Sequence, residues 1–249
     1  MAANNFAWLK AYDGQEALKF VCDKMNFSED EAKLRIHEIE SKLILLNSPN
    51  GKQRLESSKS EKMSQLEYLS QVYRRQNHKR CCGVASMAIG LDHFRFLETH
   101  ENNFTSEPEM FEIVKTLDES LVKQKGMTLD TLTKSCQELF YEPKFQVIQF
   151  QPNSIEDLEK MFLEHFEKNS GNKKVLICNY NMKLAGQGDW LGGHISPVAA
   201  FDKQTNSALI LDVWKYTDPF WIGLETLLNS LSTDPDSNKP RGFVEIELL

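Results

Sequence analysis

Hydrophobic and polar residues recur with two different periods along this chain, and each period predicts a different kind of element. In residues 14–47, apolar residues return every three or four positions, as on one face of an α-helix. Within that range, Ser28-Glu-Asp-Glu31 has the form of a capping box, in which a serine and a later glutamate satisfy the free N–H groups of a helix start. We therefore predict that residues 14–47 are helical, with a helix start at Ser28.

Further helices are predicted in the middle of the chain. The apolar run Val84-Ala-Ser-Met-Ala-Ile-Gly-Leu91 predicts a buried helix over residues 82–97. Residues 106–140 are expected to form two or three helices, with starts at Ser106 and Thr128, and Ser154 is a candidate cap for one more. By contrast, residues 49–64 are polar and rich in serine and lysine, which is typical of a linker.

The later part of the chain has patterns typical of β-structure. Apolar and polar residues alternate in residues 144–150, which predicts a strand. Four further apolar segments are separated by turns rich in Gly, Asp and Asn, and they predict strands at 174–180, 194–201, 208–213 and 242–248. Helices followed by an antiparallel sheet indicate the α+β class.

Composition narrows the classes of function. With 249 residues, 41% of them hydrophobic, the chain can bury a large core. The formal net charge of −7 argues against nonspecific nucleic-acid binding. No run of 18 apolar residues occurs and no secretory signal is visible at the start, so we expect no membrane span and a cytoplasmic location. Export by a signal-independent route is left open.

The cysteines do not indicate a disulfide scaffold or a structural metal site. Their number is odd and their spacing irregular: Cys22, Cys81, Cys82, Cys136 and Cys178. No Cys-x-x-Cys pair suggests zinc. We therefore expect reduced thiols and no bound metal.

The segment Gln76-Asn-His-Lys-Arg-Cys-Cys82 contains the strongest candidate for chemistry. Gly83 and the apolar run follow Cys82, so this cysteine is expected at or next to a helix N-terminus, where peptide dipoles and free N–H groups favour a thiolate. A thiolate is the form of cysteine that attacks carbonyls. Gln76 is a candidate donor to the oxyanion that such an attack creates.

A base and an orienting group are available later in the chain. His194 follows Gly192-Gly193, where a backbone without side chains leaves room for a substrate. Asp212 lies in an apolar segment, where an unpaired carboxylate would be costly. Two antiparallel strands joined by a turn would place the two side chains together. The chain order of glutamine, cysteine, histidine and aspartate is the order in papain-like enzymes.

Each of these residues has a simpler interpretation when it is considered alone. Cys82 is compatible with an ordinary buried helix cysteine, His194 with a satisfied core histidine, and Asp212 with a carboxylate that binds backbone N–H groups. Their occurrence together and in this order favours catalysis. The histidines on predicted helices have charged neighbours and are expected on solvated faces: His37, His93, His100 and His165.

Five segments together resemble the phytochelatin synthase family, most closely its short bacterial, single-domain members. The segments are Cys82-Gly-Val-Ala-Ser86, Gly126-Met-Thr-Leu-Asp130, Gly192-Gly-His-Ile-Ser-Pro-Val-Ala-Ala200, Leu209-Ile-Leu-Asp-Val213 and Arg241-Gly-Phe-Val244. The resemblance begins at about residue 44. It divides the chain into a helical N-terminal extension, 1–43, and a catalytic domain, 44–249.

The resemblance implies a papain-like α+β fold, with the nucleophile helix in a helical N-terminal half and an antiparallel sheet in the C-terminal half. It also implies an enzyme that takes glutathione (γ-Glu-Cys-Gly), forms a γ-Glu-Cys acyl-enzyme and releases glycine. Water then yields γ-Glu-Cys, or a second glutathione yields a phytochelatin. By position, Cys82 would be the nucleophile, His194 the general base and acid, Asp212 the orienting residue and Gln76 part of the oxyanion hole.

Substrate binding is implied at three further positions. Arg241 matches a basic position of the family, and its guanidinium is suited to a carboxylate of the substrate, the alternative being a surface salt bridge. Gly193 leaves room beside His194. Met182 stands where relatives commonly have arginine, so we expect Lys183 to hold the substrate charge or the enzyme to prefer another substrate.

Other departures from the family concern redox chemistry and the loop before the histidine. Cys81 stands where relatives usually have tyrosine, and we hypothesise that it forms a strained disulfide with Cys82 that switches the enzyme off. Residues 188–191 expand the loop before Gly192. The cysteine-rich C-terminal extension of the plant enzymes is absent, so hydrolysis is expected to outweigh polymer synthesis.

The resemblance also implies the partners of the protein. We expect glutathione as the substrate, no tightly bound cofactor, and cadmium or zinc only as a glutathione thiolate that acts as substrate. No nucleic-acid or membrane partner is expected, and a homodimer is left open. The resemblance replaces the linker prediction for residues 49–64, because an early segment of relatives wraps the catalytic domain. The alternatives are a papain-like peptidase, deamidase or deubiquitinase acting on another γ-glutamyl or peptide substrate, and a non-enzymatic binding protein.

Overall fold

The computed structural model describes residue 22 and residues 28–188, 192–214, 217–232 and 240–249. In this part of the chain the helices are α1 (Glu29–Lys42), α2 (Pro49–Ser60), α3 (Leu66–Val72), α4 (Cys82–Thr99), α5 (Glu107–Ile113), α6 (Glu119–Lys125), α7 (Leu129–Leu139), α8 (Ile155–Glu167) and α9 (Leu224–Ser230). The strands are β1 (Ile44–Leu45), β2 (Phe145–Phe150), β3 (Lys174–Asn181), β4 (Gly193–Asp202), β5 (Ser207–Ile210), β6 (Phe220–Gly223) and β7 (Gly242–Leu248).

The strands form one antiparallel sheet in the order β1-β6-β5-β4-β3-β7-β2. Most of the helices precede the central strands in the chain, and the predicted α+β class is confirmed. Within the described residues, none of the helices combines the length and the apolar character that a membrane crossing requires.

The sheet separates two hydrophobic clusters. In β3, Val175 and Ile177 belong to the cluster that contains α4, whereas Leu176, Cys178 and Tyr180 belong to the cluster that contains α8. Successive side chains of a strand point to opposite faces, so a strand covered on both sides needs apolar residues at every position. The continuous apolar runs in the sequence therefore mark the central strands.

Helix α4 is buried along most of its length and packs against β4. The Ser86 hydroxyl donates to the backbone carbonyl of Ile195 at 3.0 Å. Gly83 allows a close approach, since a Cβ at this position would lie 2.6 Å from Sδ of Met127. The packing fixes the N-terminus of α4 next to the start of β4.

The prediction for residues 14–47 is right only in part. Helix α1 begins directly after Ser28, whose N–H and hydroxyl donate to Glu31, but the helix ends at Lys42 and β1 follows. Residues 14–21 and 23–27 of the predicted helix lie outside the described residues. The linker suggested by the composition of residues 49–64 is wrong, because this segment contains α2, capped by Ser48.

Most predicted strands are present with nearly the expected bounds. The exception is the segment 208–213, in which β5 ends at Ile210, so Asp212 lies two residues beyond the strand. The short strands β1 and β6 were not predicted. They pair with each other at one edge of the sheet.

Candidate active site

The antiparallel pair β4–β5 brings His194 and Asp212 together. His194 is the second residue of β4, and Asp212 follows the end of β5. Nε2 of the histidine lies 2.8 Å from Oδ1 of the aspartate, and the two side chains are only 3% and 0% exposed. The side chains form a buried hydrogen-bonded pair, as the sequence pattern suggests.

Cys82 is the first residue of α4 and is buried beside this pair. Its side chain interacts with His194 strongly enough to raise the pKa of the imidazole. Because Nε2 of His194 is engaged by Asp212, Nδ1 is the ring nitrogen that remains for the sulfur. The cysteine lies at a helix N-terminus, where the first N–H groups have no partner within the helix and favour negative charge.

The surroundings of His194 favour its charged form. Burial by itself would lower the pKa of the imidazole, but the charges of Asp212 and Cys82, together with hydrogen bonds to both side chains, raise this pKa from 6.5 to about 10. An imidazole with such a pKa carries its proton at neutral pH. The site therefore holds a proton donor directly next to the sulfur of Cys82.

Asp212 is held by several donors that sequence reasoning missed. Oδ1 also accepts from the backbone N–H of Trp214 at 2.8 Å, while Oδ2 accepts from Nε2 of Gln187 at 2.5 Å and from the hydroxyl of Thr217. These contacts satisfy a carboxylate that would otherwise be costly to bury. Gln187 lies between two glycines, where a polar residue is typical of an exposed turn, so the local sequence gave no sign of its burial.

Two aromatic rings limit the freedom of the histidine. Tyr180 pairs with His194 across β3 and β4, and its ring lies edge-on to the imidazole with centroids 5.7 Å apart. Trp214 approaches in a similar way at 6.1 Å. A buried ring in such contacts cannot easily leave its orientation.

Gln76 lies next to the segment that contains Asp212. Its backbone N–H donates to the carbonyl of Val213 at 2.7 Å. Its side-chain amide donates to the carbonyl of His78 at 3.0 Å, and the side chain is buried. The second hydrogen of this amide is available for another acceptor.

Cys81 has surroundings that differ from those of Cys82. It is fully buried, and burial together with the nearby Glu107 carboxylate raises the pKa of its thiol to about 12. A thiol with such a pKa is a poor nucleophile at neutral pH. Both Cys81 and Cys82 are free thiols in this structure, and the disulfide between them stays a prediction.

Arg241 and Gly193 lie in contact beside His194. The guanidinium is buried, with 9% of the residue exposed, and its Nη1 donates to Oδ1 of Asn179 at 3.1 Å and to the carbonyl of Tyr180. A Cβ at position 193 would lie only 2.5 Å from Nη1 of Arg241, so a larger residue there would displace the guanidinium. Arg241 is therefore buried rather than at the surface.

Lys183 and Met182 lie in the turn that follows β3. Lys183 is exposed, and its backbone N–H donates to Oδ1 of Asn181 at 3.0 Å. Met182 is buried in the same hydrophobic cluster as α8, so it fills the core rather than facing a charged ligand. Residues 189–191 of the expanded loop lie outside the described residues.

The prediction of solvated faces for the helical histidines is wrong at two positions. His93 and His165 are buried. His165 lies 2.5 Å from Glu245 through Nδ1 and 2.8 Å from the side-chain amide of Gln65 through Nε2. Within the described ranges, no three His, Cys, Asp or Glu side chains form a group that could hold a metal ion.

Comparison with known proteins gives a family match over most of the chain. The family model described as phytochelatin synthase matches residues 34–243. The chain is 25% identical over 185 residues to glutathione gamma-glutamylcysteinyltransferase 1 of Arabidopsis thaliana, an alignment that covers 72% of this chain and 36% of that protein. It is 38% identical over 77 residues to the glutathione gamma-glutamylcysteinyltransferase of Schizosaccharomyces pombe, covering 30% of this chain and 18% of the relative.

The chain matches well under half of the length of these curated relatives. Among solved structures, the peptidase domain of Streptococcus ComA, a bi-functional ABC transporter, aligns with 71% of this chain and 97% of that domain. The TM-score is 0.41 and the sequence identity is 15%.

Proposed function

This chain belongs to the phytochelatin synthase family, and from that membership we propose that it is a cysteine acyltransferase that acts on glutathione. The observation that carries the proposal is the buried Cys82 at a helix N-terminus, where it raises the pKa of His194, which is in turn held by Asp212. The curated relatives are named for the transfer of a γ-glutamylcysteinyl group from glutathione, which supports this choice of substrate.

In the first step, the sulfur of Cys82 attacks the carbonyl carbon between the cysteine and glycine of glutathione. The carbonyl oxygen becomes negative, and the N–H at the start of α4 and the Gln76 amide supply donors to it. The C–N bond then breaks, and the proton on His194 passes to the nitrogen of the departing glycine. A γ-Glu-Cys thioester of Cys82 remains.

In the second step, an acceptor takes the γ-Glu-Cys group. His194, now neutral, removes a proton from water or from the amine of a second glutathione, which attacks the thioester carbon. The sulfur of Cys82 leaves with its electron pair, and His194 is again protonated. Water gives γ-Glu-Cys and glutathione gives a phytochelatin, so one site accounts for both products.

Charge on the substrate would be held next to His194. We assign this role to Arg241, whose guanidinium is fixed by Asn179 and lies under Gly193. Lys183 is a second candidate, since it is exposed in the turn after β3. No resident cofactor enters the proposed chemistry, and cadmium or zinc would take part as the thiolate of the acceptor glutathione.

The test is the release of glycine from glutathione. The protein is incubated with glutathione, with and without cadmium, and glycine, γ-Glu-Cys and phytochelatin are followed by mass spectrometry. Glycine release that is lost in Cys82→Ala is the expected result. Cys136→Ala serves as the control, because Cys136 is also a buried helical cysteine but lies in α7.

Two results would overturn the proposal in different ways. If the unaltered protein releases no glycine, glutathione is not the substrate, and peptides or ubiquitin conjugates become the next substrates to assay. If Cys82→Ala releases glycine at the unaltered rate, the assignment of the nucleophile is wrong.

A further inference from the structure

Glu107 is a buried carboxylate that the proposed mechanism does not use. It is the first residue of α5, and only 8% of it is exposed. Its Oε1 accepts from the backbone N–H of Asn77 at 2.6 Å, and its Oε2 accepts from the backbone N–H of His78 at 3.2 Å. One carboxylate therefore holds two successive peptide groups of the segment that leads to Cys82.

The same carboxylate also contacts the side chain before the nucleophile. The thiol of Cys81 lies close enough to Glu107 that this carboxylate raises the pKa of the thiol. Glu107 thus joins the middle of the loop 76–81 to the residue that precedes α4. A buried carboxylate that accepts from two backbone N–H groups is costly to replace, because those donors would lose their acceptor.

The backbone of His78 links Glu107 to Gln76. The carboxylate accepts from the N–H of His78, and the carbonyl of the same residue, in the next peptide group, accepts from the side-chain amide of Gln76 at 3.0 Å. The backbone of Gln76 is tied to Val213, next to Asp212. The position of the Gln76 amide therefore depends on how Glu107 holds the backbone at His78.

We propose that Glu107 is a positioning residue that holds the loop 76–81 so that the amide of Gln76 faces the developing oxyanion. The inference rests on the proposed acyl transfer, since it assigns the oxyanion donor of that reaction. Glu107 touches neither substrate nor reacting atoms and acts through Asn77, His78 and Gln76.

The experiment compares Glu107→Gln with Glu109→Gln. Glutamine at 107 keeps the size of the side chain, but its NH₂ group replaces one carboxylate oxygen and so faces the backbone N–H of Asn77 or of His78, from which it cannot accept a hydrogen bond. Glu109 lies in the same helix turn and bonds only locally, accepting from the N–H of Ser106 at 2.6 Å as part of the capping box. The control therefore removes one carboxylate from α5 without touching the loop.

Three measurements are made on these variants. The first is kcat and KM for glycine release from glutathione. The second is hydrogen exchange at the backbone amides of Asn77 and His78, which reports local opening of the loop. The third is the kinetic effect of Glu107→Gln in a Gln76→Ala background, which measures whether the two side chains act as a unit.

We expect Glu107→Gln to lower kcat by about 100-fold, the effect of losing one oxyanion donor, with KM changed less than about threefold. Exchange at Asn77 and His78 is expected to become at least about tenfold faster, because their acceptor is weakened. In the Gln76→Ala background the same change is expected to cost less than about threefold. Glu109→Gln is expected to keep kcat and both exchange rates within about twofold.

The proposal is overturned if Glu107→Gln keeps the unaltered kcat, or if its effect on kcat multiplies fully with that of Gln76→Ala, since Glu107 would then act independently. Hydrogen exchange can also be measured in the unaltered protein, without any variant and without turnover. Asn77 is exposed, so only its hydrogen bond to Glu107 would slow the exchange of its backbone amide. Rapid exchange of this amide in the unaltered protein would show that Glu107 does not hold it. If glutathione proves not to be a substrate, the proposed function fails, while amide exchange still decides whether Glu107 holds the loop.

Discussion

In the proposed reaction, His194 has to carry a proton when the glycine leaves, and its neighbours keep this proton bound. Because Asp212 and Cys82 raise the pKa of the imidazole to about 10, we expect kcat/KM for glycine release to fall on the alkaline side only near pH 10. Asp212→Asn removes a charge that raises this pKa, so the alkaline limb is expected to move to lower pH. A rate profile from pH 6 to 11 measures both effects.

Asp202→Asn is the matched control for this profile. Asp202 is also a buried carboxylate of the sheet, but it bonds Ser57 and Thr205 rather than His194. Asp202→Asn should keep the alkaline limb of kcat/KM in place.

The raised pKa of His194 also makes the free energy of unfolding depend on pH. Because this pKa lies above the ordinary value of 6.5, the contribution of His194 to stability is complete below pH 6.5 and is lost as the pH rises through 10. In the rate profile, an alkaline limb of kcat/KM near pH 7 in the unaltered protein would contradict the assignment of His194 as the proton donor.

Gln187 supports the charge of Asp212 from a glycine-rich turn. In Gln187→Leu the carboxylate of Asp212 loses a buried, charge-assisted hydrogen bond. We expect this loss to lower the free energy of unfolding, measured by urea denaturation, by about 1.5–3 kcal/mol. We also expect kcat to fall about tenfold with little change in KM, since a less well held Asp212 orients His194 less well. Gln149→Leu, which loses one bond to Thr133, is the control and should leave kcat unchanged. Equal kcat values for the two variants would show that Gln187 has no positioning role.

The candidate site residues that sequence reasoning proposed differ from those it missed in where their signal lies. Cys82, His194 and Asp212 were proposed because each lies in an informative local sequence and the three follow the chain order of papain-like enzymes. Gln187 and Glu107 were missed because their roles arise from partners 25 and about 30 positions away in the chain. Such contacts exist only after the sheet and α5 have packed against the loop.

Among the elements, local chemistry was predicted well and long-range pairing was not. Ser106, Thr128 and Ser154 each cap a helix as expected, because a side-chain oxygen accepts an N–H only three residues away. Strand β1 pairs with β6, about 175 positions later, and neither strand has a periodic pattern of its own. Helix α2 appeared to be a linker because it buries only a narrow face formed by Gly51, Leu55 and Ser58.

Two helical glycines give opposite predictions for the same substitution. At Gly51 an added Cβ would lie 2.0 Å from the backbone carbonyl oxygen of Leu45, so Gly51→Ala is expected to destabilise the protein by about 2 kcal/mol despite the better helix propensity of alanine. At Gly90 of α4 the added Cβ would be 3.6 Å from Ile246, an ordinary contact, so Gly90→Ala should stabilise by about 0.5–1 kcal/mol. Urea unfolding of both variants measures the difference, and the same sign in both would contradict the close approach of α2 to β1.

At the scale of the whole molecule, β1 at the edge of the sheet follows the predicted N-terminal extension and begins the predicted catalytic domain. The family match begins at residue 34, before the predicted boundary between 43 and 44. Leu43 lies near Gly186, in the turn that contains Gln187, so the end of the extension reaches the support of Asp212. The boundary at 43/44 stays a prediction that truncation can test.

Chains that begin at residues 34, 44 and 49 separate these contributions. The chain 44–249 keeps β1, the fully buried Leu46 and the cap Ser48, so we expect it to fold and to release glycine. The chain 49–249 loses all three, and with burial of Leu46 worth about 2–3 kcal/mol and the cap about 1 kcal/mol, its unfolding free energy should fall by at least about 3 kcal/mol. The chain 34–249 measures what residues 34–43 add. If 44–249 fails to fold while 34–249 folds, the catalytic domain begins before residue 44 and α1 is part of it.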